Sequence, residues 1–255
     1  MQHASLTLEE RHDVERQFHD AKAGRDPSGY LYADGGLDAI WDGLMARAGD
    51  LTNRTVLDFG CGEGWSSLAY AAKGATVHAF DISPESVKRL SEQAARHSLR
   101  SRIHPRVMAA ERLEYPDDLF DLVLGISILH HTDLDLSGPE IRRVLKPGGR
   151  ALFIEPLEHN WLLRGFRRLT PARRTPTERP LTMAQLREFA AHFSGGSYQG
   201  YYLLSILPQV LLLVMPSRGL FRAGLRLAER LDARLLRAVP ALQRYCRSVI
   251  LEVVK

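Results

Sequence analysis

Between residues 54 and 156, short apolar runs alternate with segments of helical periodicity. The runs predict strands near residues 54–59, 76–80, 103–108, 120–126 and 149–154, and the other segments predict helices near 64–73, 84–97 and 137–145. Ser83 before Pro84 is typical of a helix start, and residues 146–149, Lys-Pro-Gly-Gly, predict a stop and a turn. Such regular alternation is typical of a doubly wound parallel sheet.

The flanking segments extend this pattern. Residues 1–50 predict N-terminal helices, the second over residues 37–48, and Thr182 is the expected N-cap of a helix that reaches about residue 192. Strands over 198–204 and 248–253 are expected to form an antiparallel pair at the sheet edge, separated by a helical insertion over about residues 205–245. We therefore predict an α/β fold with a Rossmann-like, doubly wound sheet of seven strands, six parallel and one antiparallel.

A glycine-rich turn follows the first predicted strand. The sequence VLDFGCGEG spaces Gly60, Gly62 and Gly64 two residues apart, and a helical pattern begins at Trp65. Glycine permits left-handed backbone angles and the close approach of a ligand, and the following helix offers free N–H groups. Ligands of open α/β sheets bind outside the carboxyl ends of the strands, so this turn predicts a binding site.

Two carboxylates indicate which ligand the turn receives. Trp65 stands where a dinucleotide-binding turn requires its last glycine, and Asp58 beside the turn would repel a pyrophosphate but suits a cation. Asp81 ends the second predicted strand, where a carboxylate can accept from both hydroxyls of a ribose. A ribose joined to a cationic amino-acid part, without phosphate, describes S-adenosyl-L-methionine. An NAD-dependent oxidoreductase is the less favoured alternative.

The same motifs, taken in order, resemble those of class I S-adenosylmethionine-dependent methyltransferases of the type 11 group. The resemblance runs from Arg54 to Pro156. It rests on VLDFGCGEG, on HAFDIS at residues 78–83, on MAAERL at 108–113, on FDLVLGISILHH at 120–131 and on VLKPGGRALFIEP at 144–156.

This resemblance implies roles for particular residues. Asp81 would bind the ribose and Ile82 would contact the adenine. Ala109 replaces the aspartate that relatives often carry near the adenine, which leaves Ala110, through its N–H, and Glu111 as the expected contacts. The fourth strand, which includes Ile126, would face the transferred methyl group.

His130 and His131 follow the fourth strand, where the fold places the methyl-bearing part of the cofactor. An imidazole titrates near neutral pH and can take a proton from an acceptor hydroxyl or amine. We prefer His131 as the general base, and the alternative is that a histidine here packs or caps locally. The spacing of His130, His131, Asp133 and Asp135 fits no standard zinc site, so we expect no metal.

The two parts of the chain carry opposite charge. Residues 1–156 have 18 Lys and Arg against 24 Asp and Glu, whereas residues 157–255 have 16 against 6. Within the second part, five arginines recur every fourth residue, which leaves two interpretations open: a solvated helix face with leucines in the core, or contact with an anionic membrane surface. These arginines are Arg218, Arg222, Arg226, Arg230 and Arg234. No recognition motif accompanies them, so we expect no nucleic-acid partner.

Together these patterns predict one methyltransferase domain over residues 1–255, with a helical lid at 1–50, a cofactor-binding core at 51–156 and an acceptor-side region at 157–255. Its acceptor would be a small or lipid-like molecule. We expect oxygen as the accepting atom, with nitrogen or carbon as the less favoured alternatives. A noncatalytic S-adenosylmethionine-binding module is the alternative. We expect a cytoplasmic protein, because the first residues lack a signal peptide pattern. Residues that would line the acceptor pocket are Glu155, Glu158, His159, Asn160 and Trp161, with Tyr30 and Tyr32 in the lid.

Overall fold

The sheet of this protein has seven strands in the order β3-β2-β1-β4-β5-β7-β6 in a computed structural model. The structure describes residues 6–24, 37–160, 165, 180–211 and 218–255. The strands are β1 (Thr55–Phe59), β2 (Thr76–Asp81), β3 (Ile103–Val107), β4 (Phe120–Ile126), β5 (Leu145–Pro156), β6 (Gly195–Tyr201) and β7 (Ser248–Val254).

Strand β7 alone runs against its neighbours. It pairs antiparallel with both β5 and β6, whereas the pairs among β1 to β5 are parallel. Six strands therefore point one way and one the other, which confirms the predicted fold class. The carboxyl ends of β1, β2, β3 and β4 meet at one edge of the sheet, and this edge carries the candidate site.

Helices cover both faces and the ends of the sheet. They are α1 (Leu8–Lys22), α2 (Asp38–Ala48), α3 (Trp65–Ala72), α4 (Pro84–Arg96), α5 (Leu134–Val144), α6 (Met183–Ala190), α7 (Ile206–Leu211) and α8 (Arg218–Ala238), with short 3-10 turns at Leu129–His131 and Pro240–Tyr245. The Ser83 hydroxyl caps α4 by accepting from Ser86 N, and Thr182 caps α6 through a capping box. Both caps agree with the sequence.

The prediction of a turn that ends before the fifth strand is wrong in detail. Residues 146–149 lie inside β5, where they form a bulge: Phe120 pairs with Leu145, and Leu122 already pairs with Arg150. Gly148 takes a φ of +72° within this bulge. The sequence signal for a turn is therefore real, but both of its ends remain paired to β4.

Two further boundaries differ from the predictions. Helix α5 begins at Leu134, three residues before the predicted start, because Asp133 caps it by accepting from Asp135 N. Strand β6 begins at Gly195 rather than near residue 198 and ends before Tyr202, whose φ is +63°. Gly195 and Gly196 have low strand propensity, so only their pairing with Val254 and Val253 reveals them as strand.

The core lies on both faces of the sheet, as expected for central parallel strands buried on each side. Leu57 and Phe59 pack into one cluster with Phe153, and Val56 packs into the other with Leu152. This packing fixes the carboxyl ends of β1 and β4, from which the site residues project.

Candidate functional site

All three glycines of the turn after β1 adopt left-handed backbone angles, with φ of +71° at Gly60, +51° at Gly62 and +88° at Gly64. Their surroundings differ. A side chain at Gly60 would collide with Ile128, and one at Gly64 would collide with Leu90. A Cβ at Gly62 meets nothing within 4 Å. Gly60 and Gly64 therefore permit close packing, and Gly62 borders the open space in which a ligand would lie.

Asp81 lies beside this open space. It is 7% exposed, its Oδ2 accepts from Gly62 N at 2.9 Å, and its Oδ1 accepts from Ser83 N at 2.9 Å. Burial raises the pKa of Asp81, and the two N–H donors act against that rise. Each carboxylate oxygen has a second lone pair, so Asp81 can still accept from a pair of hydroxyls.

Asp58 occupies a position behind the turn. It is 1% exposed, and its Oδ2 accepts from the hydroxyls of Ser66 at 2.7 Å and Ser67 at 2.5 Å. Burial raises the pKa of Asp58 to about 6, although the two serine hydroxyls favour the charged form. The carboxylate thus holds the start of α3 against β1. From this fixed position its negative charge would act on a cation in the pocket.

The residues expected near the adenine and the methyl group lie at or just after the ends of β2, β3 and β4. Ile82 and Ile126 are partly exposed, and Ala110 is buried. Glu111 has two partners already: Oε1 accepts from Asp133 N at 2.9 Å, and Oε2 lies 2.9 Å from His12 Nε2. The structure therefore gives Glu111 a bridging role between α1 and the start of α5.

His130 and His131 have different surroundings although they are adjacent. His130 has a side chain only 4% exposed, and its Nδ1 lies 2.6 Å from Glu155 Oε2. Glu155 is fully buried, and its other oxygen accepts from the backbone N–H groups of Ile128 and Leu129. His130 and Glu155 thus join the turn after β4 to β5, a structural arrangement that favours packing over catalysis.

His131 instead faces helix α1. Its Nδ1 lies 3.1 Å from Glu15 Oε2, and the same oxygen lies 3.6 Å from His19 Nε2. The pKa of His19 is raised: burial acts to lower it, but the contact with Glu15 and the charge of Asp81 outweigh burial. Among the described residues, the ligand atoms of Glu15, His19 and His131 form a group within 4.8 Å of one another.

Helix α1 crosses the strand ends and contacts the site at several points. Besides the contacts of Glu15, the Asp20 carboxylate accepts from the Ser83 hydroxyl, and Gly24 N donates to Glu63 Oε1 at 2.8 Å. Sequence reasoning missed these residues. His12, Glu15 and His19 are spaced at three and four residues, so they share one helix face, and this polar face was the available signal.

The residues predicted to line an acceptor pocket are brought together only in part. Glu155 is buried against His130, and Asn160 is buried with its amide donating to Tyr245 O at 3.0 Å. Glu158 and His159 are partly exposed. Trp161, Tyr30 and Tyr32 lie outside the described residues.

The Arg-rich segment is a helix, α8, but its leucines do not all face the core. Phe221, Leu225 and Leu236 are buried, whereas Leu227 is 59% exposed and Leu231 is 43% exposed. The interpretation that places these two leucines in the core is therefore wrong. They lie on the same exposed face as Arg226, Arg230 and Arg234. Within the part of the chain that the structure describes, no helix has the length and apolarity needed to span a membrane.

Comparison with known proteins agrees with the geometry of this edge of the sheet. Residues 57–153 match the family described as "Methyltransferase domain". An uncharacterised protein of Mycobacterium tuberculosis is 34% identical over 124 residues, which are 48% of this chain and 43% of that protein. A 27-O-demethylrifamycin SV methyltransferase from Amycolatopsis mediterranei is 36% identical over 109 residues, 42% of this chain and 39% of the relative. The chain thus spans less than half the length of these curated relatives.

A solved structure extends the likeness to nearly the whole fold. The geranyl diphosphate C-methyltransferase from Streptomyces coelicolor A3(2), solved with Mg2+, geranyl diphosphate and S-adenosyl-L-homocysteine, superposes with a TM-score of 0.65. The match covers 96% of this chain and 97% of that one at 16% identity. Residues 57–153 thus match the methyltransferase-domain family, and the fold of the chain is similar to that of this solved methyltransferase.

Proposed function

We propose that this protein is an enzyme that transfers a methyl group from S-adenosyl-L-methionine to a small or lipid-like acceptor. One observation carries the proposal: the open space at Gly62 adjoins the buried carboxylate of Asp81, at the carboxyl ends of β1 and β2. A ribose can hydrogen-bond to Asp81, and an amino-acid part can pass over Gly62, where even a methyl side chain would compete for space. Ile82, Ala110, Glu111 and Ile126 remain the proposed adenine-side and methyl-side neighbours.

The chain's own residues then have defined tasks. The cofactor supplies an electrophilic sulfonium methyl group, so the protein has mainly to align the acceptor with it. Asp81 and the turn fix the donor. His131 after β4 is the proposed general base, since it is less buried than His130 and contacts α1 rather than the fully buried Glu155. Asp58, Gly60 and Gly64 maintain the turn.

The binding step separates this proposal from an oxidoreductase. A thermal-shift and calorimetry panel should show binding of S-adenosyl-L-methionine and S-adenosyl-L-homocysteine and none of NAD, because Trp65 and Asp58 disfavour a pyrophosphate. Binding of NAD, with no binding of S-adenosyl-L-methionine or S-adenosyl-L-homocysteine, would reject the proposal. Methyl transfer from a labelled donor separates an enzyme from a noncatalytic binding module.

Oxygen is the accepting atom that we propose first. The name of the rifamycin relative specifies an O-methyl group, and the similar solved structure is a C-methyltransferase, so carbon is the competing acceptor. A base at His131 would take up the proton that the acceptor loses on methylation, so the preference for oxygen rests on the rifamycin relative. We propose further that residues 1–255 act as one unit with an N-terminal lid and an acceptor-side region at 157–255, in the cytoplasm.

We also propose that α8 brings the protein to anionic lipid surfaces. Its exposed face combines Leu227 and Leu231 with three arginines, Arg226, Arg230 and Arg234. An apolar groove of about 340 Å³ lies between Leu204 and this part of α8. Leucines beside arginines suit the boundary between acyl chains and acidic headgroups, and each basic residue near such a surface contributes about 1 kcal/mol.

Vesicle sedimentation tests this contact. The protein should pellet with phosphatidylserine-rich vesicles at low salt and be released at high salt, because salt screens the attraction. Replacing Arg226, Arg230 and Arg234 by Gln should abolish pelleting and leave S-adenosyl-L-homocysteine binding intact. As a matched control, replacing Arg96, Arg100 and Arg102 by Gln, far from α8 along the chain, should not abolish pelleting. If the wild type does not pellet at low salt, the stripe is a solvated helix face.

A further inference from the structure

Helix α1 buries a charged residue and no apolar one. Glu15 is 5% exposed and is the one buried residue among the fifteen of α1, whereas Val14 and Phe18 remain partly exposed. Burying a carboxylate is costly unless other groups compensate its charge. A helix held only by packing would turn its apolar residues inward, so polar contacts, those of Glu15 among them, hold α1 in this orientation.

Two imidazoles contact the same oxygen of the Glu15 carboxylate. His131 Nδ1 lies 3.1 Å from Glu15 Oε2, and His19 Nε2 lies 3.6 Å from it. A separation of 3.1 Å brings the carboxylate oxygen within hydrogen-bonding distance of the ring nitrogen. A carboxylate beside Nδ1 fixes the proton on that nitrogen and leaves the lone pair on Nε2.

The adjacent pair of His130 and Glu155 shows the same pairing in a different setting. There also a glutamate oxygen meets Nδ1, at 2.6 Å, but both side chains are almost wholly buried and Glu155 is fixed by backbone donors of the turn. The His131 side chain is 13% exposed and its partner comes from α1. Of these two pairs, His131 with Glu15 is therefore the one that forms when α1 docks onto the strand ends.

We infer that Glu15 is a positioning residue that sets the tautomer of His131, so that α1 completes the general base when it lies over the site; this rests on the proposed methyl transfer. In that step the acceptor oxygen bonds to the methyl carbon, and the carbon–sulfur bond breaks with its electron pair going to sulfur. The hydroxyl proton passes to His131 Nε2. The imidazolium is stabilised by the Glu15 carboxylate and returns its proton to water when the product leaves.

Other charged groups face His131 as well. Arg11 donates to the backbone carbonyl of His131 at 3.4 Å, and His19 approaches its ring edge with 5.8 Å between centroids. Asp81 interacts electrostatically with His131 from β2. Glu15 is the carboxylate in contact with the ring nitrogen, so its removal should alter the tautomer, whereas the others act at longer range.

Nitrogen-15 NMR of the histidine rings tests the inference without an acceptor. With S-adenosyl-L-homocysteine bound, His131 should carry its neutral-state proton on Nδ1. In Glu15→Gln the amide can donate to Nδ1, and the proton should move to Nε2. Glu9→Gln, the same change at an exposed position of α1, should leave the spectrum unchanged. Both variants should bind S-adenosyl-L-homocysteine within about threefold of wild type, since neither residue is assigned to the ribose.

The outcomes separate the two proposals. If no variant, wild type included, binds S-adenosyl-L-homocysteine, the proposed function fails. If binding persists and the His131 tautomer is the same in wild type and Glu15→Gln, the positioning role is overturned. Stoichiometric metal in the purified protein, lost in Glu15→Gln, would also overturn it, because a metal held by Glu15, His19 and His131 would occupy the same Nδ1 atom.

Discussion

Replacing Asp81 by Ala should weaken cofactor binding by an amount that the site geometry allows to be worked out. The carboxylate would form two charge-assisted hydrogen bonds to the ribose, which together contribute roughly 2–3 kcal/mol. This corresponds to a roughly 30- to 150-fold rise in Kd. The change also removes the acceptor of Gly62 N and Ser83 N, both at 2.9 Å, so the turn itself would be less well ordered.

Stability and affinity must therefore be measured together for Asp81→Ala. Two unpaired N–H groups cost about 1–3 kcal/mol each if water does not reach them, and the end of carboxylate burial offsets part of that cost. Calorimetry with S-adenosyl-L-homocysteine gives the affinity, and circular dichroism with urea unfolding gives the fold. Asp13→Asn, an exposed change on α1, is the control. Unchanged affinity in a folded Asp81→Ala protein would refute the ribose role.

Three further results are expected. Gly62→Val should weaken S-adenosyl-L-homocysteine binding more than Asp81→Ala does, since it adds bulk to the open space at a φ of +51°. Gly195→Val, which also faces open space, should bind normally. Equal binding by Gly62→Val and Gly195→Val would show that the turn is misassigned. His131→Ala should lower turnover more than it lowers donor affinity. If the pH–rate profile of His131→Ala keeps the neutral-range limb of the wild type, His131 is not the base. Burial raises the pKa of Asp58 from 3.8 to about 6, so the folded state binds this proton more tightly than the unfolded state does. The free energy of unfolding of the wild type should therefore fall as pH rises from about 4 to 6. The fall should exceed that of Asp58→Asn by up to about 3 kcal/mol. Equal slopes in urea unfolding would contradict the buried charge.

The fold and the turn were accessible to sequence reasoning because local signals agreed. The order of β1, the turn and α3 follows from an apolar run, three glycines and a helical pattern, and Asp81 follows from the end of the next run. The sequence could not show that the three glycines differ. Only the packing of Ile128 against Gly60 and of Leu90 against Gly64 leaves Gly62 as the open position.

The contribution of α1 could not be predicted from the sequence, because it depends on contacts between residues 99 or more positions apart. Glu15 meets His131, and His12 meets Glu111, through tertiary packing that no local spacing encodes. The same limit applies to the two adjacent histidines. Their sequence context is shared, and their difference arises because Glu155 approaches one ring from β5 and Glu15 approaches the other from α1.

For helix α8, the sequence periodicity predicts the helix correctly but does not predict which of its residues are buried. The spacing of arginines predicts a helix, and α8 is one. Leu227 and Leu231 are nevertheless exposed, because the buried face is formed by Phe221, Leu225 and Leu236 together with the buried carboxylate of Asp232. Asp232 accepts from Leu203 N, Leu204 N and Ser205 N, and this anchoring rotates α8 so that part of its apolar surface faces outward.

Transfer of a labelled methyl group tests the central claim most directly. Cell extract would be incubated with the purified protein and S-adenosyl-L-methionine carrying a deuterated, carbon-13 methyl group, and products would be identified by mass spectrometry. The account predicts a small or lipid-like product with the label, formed with one equivalent of S-adenosyl-L-homocysteine and absent with Gly62→Val. Tight binding of the donor with no labelled product from any extract would contradict the enzyme and leave a binding module.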